Sequence, residues 1–181
     1  MRIKTTFDAM PNWCDTAYVV TGDKAQLDSL YNTMRELEST PSTDSSLNSF
    51  GVTWLSNLRR DGETVRFATV SAWQEPIEVQ QFLESVYPDL KFYFSAEEPD
   101  MGHYTTNDER GIYFPERYHV YIEDQMIHEY FQDFESLADY ISEVTGVSTL
   151  FSLDDCEHAL REYCDANGDL SYDLDEFRIV K

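Results

Sequence analysis

Apolar residues recur at helical spacing in four segments of this chain. The four sets are Leu27, Leu30, Met34 and Leu37; Val79, Phe82, Leu83 and Val86; Phe134, Leu137, Ile141 and Val144; and Leu153, Cys156, Leu160 and Tyr163. Steps of three and four residues place such side chains on one side of a helix, where they can pack against a core. The pattern therefore predicts four amphipathic helices.

Segments rich in β-branched and aromatic residues lie between the first two helices and on either side of them. The expected strands cover residues 15–22, 53–60, 63–73 and 90–94. The dipeptide Asp61-Gly62 favours a tight hairpin turn between the second and third strands. Pro76 suits the first position of the second helix, and Pro88 is expected to stop that helix. The N-terminal order is strand, helix, strand, strand, helix, strand.

That order is typical of the split β-α-β arrangement of ferredoxin-like folds, in which an antiparallel sheet carries two helices on one face. We therefore predict an α+β protein with a ferredoxin-like domain over residues 10–105. Residues 95–110 are polar and rich in turn formers, which indicates a loop and a boundary near residue 110. Residues 111–181 are expected to form an acidic α+β subdomain or an extension of the same sheet. Its strands are predicted at 111–115, 118–122, 125–131 and 172–179.

The chain has 35 acidic and 13 basic residues, for a net charge of −22. Residues 111–181 are the more acidic part, with 17 acidic and 4 basic residues. A protein that binds the phosphate backbone needs clustered Lys and Arg, so direct nucleic-acid binding is not expected. No run approaches the roughly 18 apolar residues of a membrane span, which indicates a soluble, cytoplasmic protein. Cys14, Cys156 and Cys164 are expected to be reduced, buried thiols.

One family resembles the N-terminal part of the chain. The resemblance rests on Met10-Pro-Asn-Trp-Cys14, Gly22, Ala72-Trp73, Pro76, Phe82, Pro88 and Glu97-Glu98-Pro99-Asp-Met-Gly102. These residues are similar to the YubB-like family of ferredoxin-like domains, which plasmids, phages and integrated mobile elements encode. The resemblance covers about residues 10–105 and implies a mobile-element setting, but it carries over no catalytic residue. Trp13 and Trp73 are predicted to be core anchors at strand ends.

A calcium loop is one alternative for the C-terminal segment. Asp165, Asn167, Asp169, Asp173 and Glu176 occupy positions 1, 3, 5, 9 and 12 of such a loop. The loop's sharp turn needs glycine at its sixth position, which is Leu170 here, and no exiting helix is expected. The competing interpretation is a strand from residue 172 with most of its acidic side chains facing water.

Catalytic signatures are absent from the sequence. It has no Gly-x-Ser-x-Gly, Walker, HExxH or glycine-rich dinucleotide motif. The chain has four histidines, which are His103, His119, His128 and His158. Each could meet a carboxylate in space, but four histidines among 35 acids will do so by chance. No cofactor is expected, and an enzyme with an unrecognised pocket stays an alternative.

The interpretation we favour is a non-catalytic interaction or accessory module of a mobile element, whose partner is another protein. The candidate contact residues are the C-terminal aromatics Tyr113, Phe114, Tyr118, Tyr121 and Tyr130. Aromatic residues favour interfaces, although they are also common in half-buried strands. A further alternative is nucleic-acid mimicry, in which ordered carboxylates occupy the basic cleft of a host DNA-binding or defence protein.

Overall fold

The computed structural model describes residues 11–39 and 52–181. It divides into two compact units, Met1–His103 and Tyr104–Lys181, so the division lies a few residues before the predicted boundary. Both units combine helices with strands, and the chain is an α+β protein. Among the described residues, no helix is both long enough and apolar enough to cross a membrane.

The first unit has the predicted order of elements. They are β1 (Trp13–Gly22), α1 (Lys24–Glu38), β2 (Val52–Asp61), β3 (Thr64–Ala72), α2 (Ile77–Val86) and β4 (Leu90–Glu98). The hairpin at Asp61-Gly62 is confirmed, because Asp61 pairs with Thr64 and Gly62 has a φ of 52°. Met10, the first residue of the family motif, lies outside the described residues.

The strands of the first unit lie in the order β2-β3-β1-β4, and each pair is antiparallel. In the centre, Tyr18 of β1 lies between Phe67 of β3 and Phe94 of β4. The Tyr18 ring stacks on the Phe67 ring at a centroid distance of 4.7 Å and lies 6.2 Å from the Phe94 ring. All three rings are buried, and they form the middle of the core.

Helices α1 and α2 lie on the same side of this sheet. The Thr33 and Tyr87 hydroxyl oxygens are 3.1 Å apart and join α1 to the residue that ends α2. Helix α1 begins at the N-cap Asp23, whose carboxylate accepts from the Gln26 N–H. Phe82, which the apolar pattern assigns to the core, is half exposed on α2.

The second unit has a three-stranded antiparallel sheet and two helices. Its elements are β5 (His103–Thr106), β6 (Tyr118–Ile122), β7 (Ile127–Phe131), α3 (Phe134–Thr145), α4 (Leu153–Ala166), β8 (Tyr172–Glu176) and β9 (Arg178–Ile179). The sheet order is β7-β6-β8, and β5 pairs with β9 in parallel. Val120 and Ile122 of β6 pack with Leu137, Ile141 and Leu160 in a buried core. The Asp133 and Ser152 side chains cap α3 and α4.

Two predictions for the middle of the chain are wrong. Strand β4 continues through residues 95–98 and β5 follows, so residues 95–110 are not all loop. Residues 111–115 form a loop where a strand was predicted, because their backbone groups bond to side chains. The buried Asp108 carboxylate accepts from the N–H groups of Tyr113 and Phe114 at 2.6 and 3.0 Å. The Arg117 guanidinium donates to the carbonyl oxygens of Phe114 and Asp108.

We expect Gly22→Ala to destabilise the protein strongly. Gly22 has a φ of 139°, and a Cβ at this position would lie 2.2 Å from the Asp89 carbonyl oxygen. Since backbone cannot move as cheaply as a flexible side chain, we expect a loss of about 2–4 kcal/mol in the free energy of unfolding. Urea denaturation followed by circular dichroism measures this loss.

Gly62→Ala is the matched control, because Gly62 also has a positive φ but a Cβ there would meet no atom within 4 Å. The control should lose only the conformational term, about 1–2 kcal/mol. If both variants lose the same free energy of unfolding, the close approach of the Cβ to the Asp89 carbonyl oxygen does not contribute to the destabilisation.

Candidate functional site

Two tryptophan side chains lie together on the sheet face opposite the helices of the first unit. Trp13 pairs with Ala72 across β1 and β3, and Trp54 pairs with Val70 across β2 and β3. The indole centroids are 5.9 Å apart with an angle of 63° between the ring planes, which is an edge-to-face contact. Trp13 is 41% exposed and Trp54 is 54% exposed. A large apolar surface is thus open to solvent across β2, β3 and β1, whose other face is core.

Carboxylates continue this surface across the sheet. Val70, the partner of Trp54, also pairs with Asp15, and Asp15 pairs in turn with Glu97 of β4. The residues that face one another across the four strands are therefore, in the order β2, β3, β1 and β4, Trp54, Val70, Asp15 and Glu97. We call the surface made by these four residues together with Trp13 and Ala72 the indole face. Aromatic rings beside carboxylates attract cations, since the ring faces and the carboxylates are both negative.

The prediction that Trp13 and Trp73 are core anchors is wrong. Trp13 lies on the indole face, and Trp73 is 49% exposed at the end of β3 with a φ of 73°. In the sequence both tryptophans lie at strand ends, and a strand-end position is compatible with a buried indole as well as with an exposed one. The alternation along β1 could have found the site, because Cys14, Thr16 and Tyr18 form the buried series and leave Trp13 and Asp15 on the other face.

Polar groups are buried on the helix side at the same end of the sheet. The His103 Nε2 and Glu75 Oε2 atoms are 2.5 Å apart, and the Glu75 side chain is only 8% exposed. Glu98 is 1% exposed, and its Oε2 accepts from the Met101 N–H at 2.9 Å. The other oxygen, Oε1, is a buried acceptor without a hydrogen bond. This carboxylate stabilises the turn after β4 at an electrostatic cost.

The same polar environment acts on Cys14. Burial raises the pKa of the Cys14 thiol to about 11, and the negative charges of Glu75, Asp15 and Glu98 add to the increase. Burial also raises the pKa of the thiols of Cys156 and Cys164 in α4. All three cysteines are buried and none is in a disulfide. These properties are those of structural thiols, since nucleophilic cysteines need a lowered pKa and exposure.

The predicted contact aromatics do not form one surface. Tyr118 packs on the α3–α4 core, where its ring meets Phe134 edge to face. Tyr113 and Phe114 belong to the loop that the Asp108 carboxylate holds. Tyr121 and Tyr130 lie on the opposite face of the second sheet, in ring contact with His128 and His119 respectively.

The residues of the calcium alternative are spread over three elements. Asp165 lies in the last turn of α4, Asn167 ends that helix and Asp169 lies in the turn that follows, with a φ of 56°. Asp173 and Glu176 lie three residues apart in β8, so their side chains leave opposite faces of the strand. Within the part of the chain that the structure describes, no group of three or more His, Cys, Asp or Glu side chains could hold a metal ion. The geometry lends the calcium alternative no support.

Three of the four histidines contact a carboxylate. They are His103 with Glu75, His119 with Asp175 and His158 with Glu162. The His158 pair is an exposed i,i+4 contact within α4, and such pairs stabilise a helix only weakly. His119 and His128 differ from the other two histidines, because their rings bond to each other. The distance between Nε2 of His119 and Nδ1 of His128 is 2.8 Å.

Comparisons with known proteins supply no family. No family model matches the chain, and no curated protein matches it. One solved structure is similar, a protein from Galdieria sulphuraria described as unknown, at 10% identity over 90% of this chain and 97% of the other. Its TM-score of 0.28 is too low to support any conclusion about fold or function.

We expect all three thiols to be unreactive in the folded protein. A thiol-reactive disulfide reagent attacks a cysteine only if the sulfur is a thiolate and the reagent can reach it. At pH 8 the raised pKa keeps the thiols protonated, and burial blocks access by the reagent. Absorbance of the released thiolate should show no reaction over minutes in buffer and three equivalents in urea. A cysteine that reacts in buffer as fast as a free thiol would contradict the structural role.

Proposed function

We propose that the protein is an interaction module whose indole face binds a cationic segment of another protein. The observation that carries the proposal is the pair of half-exposed indoles of Trp13 and Trp54, which contact each other on a sheet face that also bears Asp15. Monomeric proteins rarely expose large apolar groups side by side without a use for them. Tryptophan is also the residue type that most often dominates the binding energy of an interface.

The negative charges on and around the indole face favour a positively charged partner. Lys and Arg side chains carry an apolar stem that can lie on an indole and a cationic group that a carboxylate can bind. Asp15 and Glu97 pair with each other across β1 and β4, next to Val70 and Trp54. The net charge of −22 attracts basic partners over a longer range and repels acidic ones. Phosphate-bearing nucleic acid is disfavoured by the same field.

The proposal also includes the fold family of the first unit and its role in a mobile element. The order β-α-β-β-α-β, with strands in the order β2-β3-β1-β4, supports assigning the first unit to the ferredoxin-like folds. On that basis the resemblance to the YubB-like family stays a prediction, and it suggests an accessory role in a mobile element. Nucleic-acid mimicry by the acidic surface of the second unit is a competing hypothesis that the binding test separates.

We expect the whole protein to bind an Arg- and Lys-rich peptide in preference to a peptide of the same length in which Gln replaces these residues. Trp54→Ala should weaken binding of the basic peptide about tenfold, which corresponds to roughly 1.4 kcal/mol for a partly desolvated cation–indole contact. Asp15→Asn should weaken it by a smaller factor and reduce its dependence on salt. Isothermal titration calorimetry at two salt concentrations measures both effects.

Phe151→Ala is the matched control. Phe151 is 81% exposed and lies in the second unit, so its removal should leave the affinity unchanged. If Trp54→Ala binds as tightly as the original chain while salt still abolishes binding, the acidic surface as a whole is responsible and mimicry is favoured. If no basic peptide binds at either salt concentration, the proposed function is wrong.

A further inference from the structure

The second sheet carries an ordered set of titratable side chains on the face opposite its helices. Val120 and Ile122 of β6 point into the core with α3 and α4, so His119 and Tyr121 leave the other face. Strand register then places His119 between Tyr130 of β7 and Asp175 of β8. Tyr121 lies in the same way between His128 and Asp173. Two histidines, two tyrosines and two aspartates thus share one small grid.

Three members of the grid form a continuous hydrogen-bonded chain. The Nδ1 atom of His119 lies 3.2 Å from Asp175 Oδ2, and its Nε2 atom lies 2.8 Å from Nδ1 of His128. His119 is fully buried, whereas His128 is exposed. Within the described part of the chain, Nε2 of His128 has no hydrogen-bond partner. The chain therefore runs from a carboxylate, through a buried imidazole, to an imidazole at the surface.

Aromatic rings hold both imidazoles in place. Tyr104 stacks on His119 at a centroid distance of 4.8 Å with 19° between the planes, and Phe177 contacts Tyr104 edge to face. Tyr121 stacks on His128 at 4.8 Å and 28°. A side chain held on one face by a ring and at one nitrogen by a hydrogen bond loses little further entropy when it reacts. This arrangement is more organised than an accidental contact between a histidine and an acid.

The bonding pattern determines where the protons lie. An ionised carboxylate only accepts, so Nδ1 of His119 must donate to Asp175. Neutral His119 then has a lone pair on Nε2, and Nδ1 of His128 must donate to it. That leaves a lone pair on Nε2 of His128, at the exposed end of the chain. Asp175 thus sets the tautomer of His128 through His119.

From this geometry we infer that His128 is the general base of a hydrolytic site, with His119 and Asp175 as positioning residues. A proton taken up at Nε2 of His128 leaves both hydrogen bonds intact, and the carboxylate of Asp175 stabilises the positive charge. The inference is independent of the indole face, which belongs to the other unit.

The substrate class follows from the charges around the base. Asp173 lies beside Tyr121 on the same face, and residues 111–181 hold 17 acidic and 4 basic residues. An anionic substrate is therefore repelled, and an uncharged or cationic ester fits best. In the reaction a water molecule adds to the ester carbonyl carbon while His128 removes its proton. The carbon–oxygen bond to the leaving group then breaks, the alcohol departs with a proton from His128, and the carboxylic acid remains.

The first test measures hydrolysis of 4-nitrophenyl acetate by the whole protein. We expect His128→Gln to lower the rate constant about a hundredfold, the ordinary contribution of general base catalysis. His158→Gln is the matched control, because His158 is exposed like His128 but contacts Glu162 directly and lacks the relay. An anionic acetate ester whose carboxylate cannot reach the carbonyl, such as 3-acetoxy-4-nitrobenzoate, should be accelerated less, relative to its rate in buffer, than 4-nitrophenyl acetate. Added imidazole should restore part of the rate to His128→Ala.

The second test reads the proton positions directly by ¹⁵N NMR of the imidazole nitrogens. At neutral pH, His128 should carry its proton on Nδ1 and none on Nε2. In Asp175→Asn the amide can donate to Nδ1 of His119, which reverses both hydrogen bonds and puts a proton on Nε2 of His128. The ester rate should then fall as far as in His128→Gln, although the fold is retained.

Two results would overturn the inference. One is an ester rate that His128→Gln and His158→Gln leave equally unchanged. The other is an NMR spectrum in which Nε2 of His128 is protonated in the original chain at neutral pH. A merely structural role for the relay predicts lower thermal stability in Asp175→Asn with no dependence of ester hydrolysis on His128.

Discussion

The register of the antiparallel strand pairs is the constraint on which both units depend. Side chains alternate between the two faces of a strand, so a slip of one residue would exchange the whole buried set for the exposed one. In the first unit, the pairing of Tyr18 with Phe67 and Phe94 fixes this register, because three large rings must meet in the core. Once they do, Trp13 and Asp15 can only lie on the opposite face.

The second unit obeys the same rule with different chemistry. Its core side is apolar and includes Val120, Ile122 and the buried faces of α3 and α4. The alternate residues of β6 are His119 and Tyr121, which makes the other face polar and aromatic. Each unit thus covers one sheet face with two helices, and its candidate site lies on the other face. The second sheet uses regular strand geometry at its candidate site, because His119 and Tyr121 occupy the positions that the alternation leaves outside the helix-packed core. The indole face depends on a register shift between Val52 and Trp54, which places Trp54 on the face opposite the buried Val52.

The sequence predicted the elements much better than it predicted the sites. All four helices and the Asp61-Gly62 hairpin could be predicted, because spacing, caps and turn residues are local signals. Trp13 and Trp54 are 41 positions apart in the chain. The hydrogen bond between His119 and Asp175 joins residues that are 56 positions apart. These contacts depend on register across strands, which no local pattern specifies. The sequence predicts a strand at 111–115, but the hydrogen bonds that shape this loop come from Asp108 and Arg117, which lie outside the segment.

The use of Arg117 has a wider electrostatic consequence. The second unit has few basic residues, and the Arg117 guanidinium is committed to backbone carbonyl oxygens of its own loop. Arg161 is paired with Glu157 at 2.7 Å. Most carboxylates of residues 111–181 must therefore be neutralised by ions from the solution. The second unit therefore attracts mobile cations from the solution. A basic molecule that bound to this unit would displace some of them, and the entropy of the released ions would contribute to the driving force.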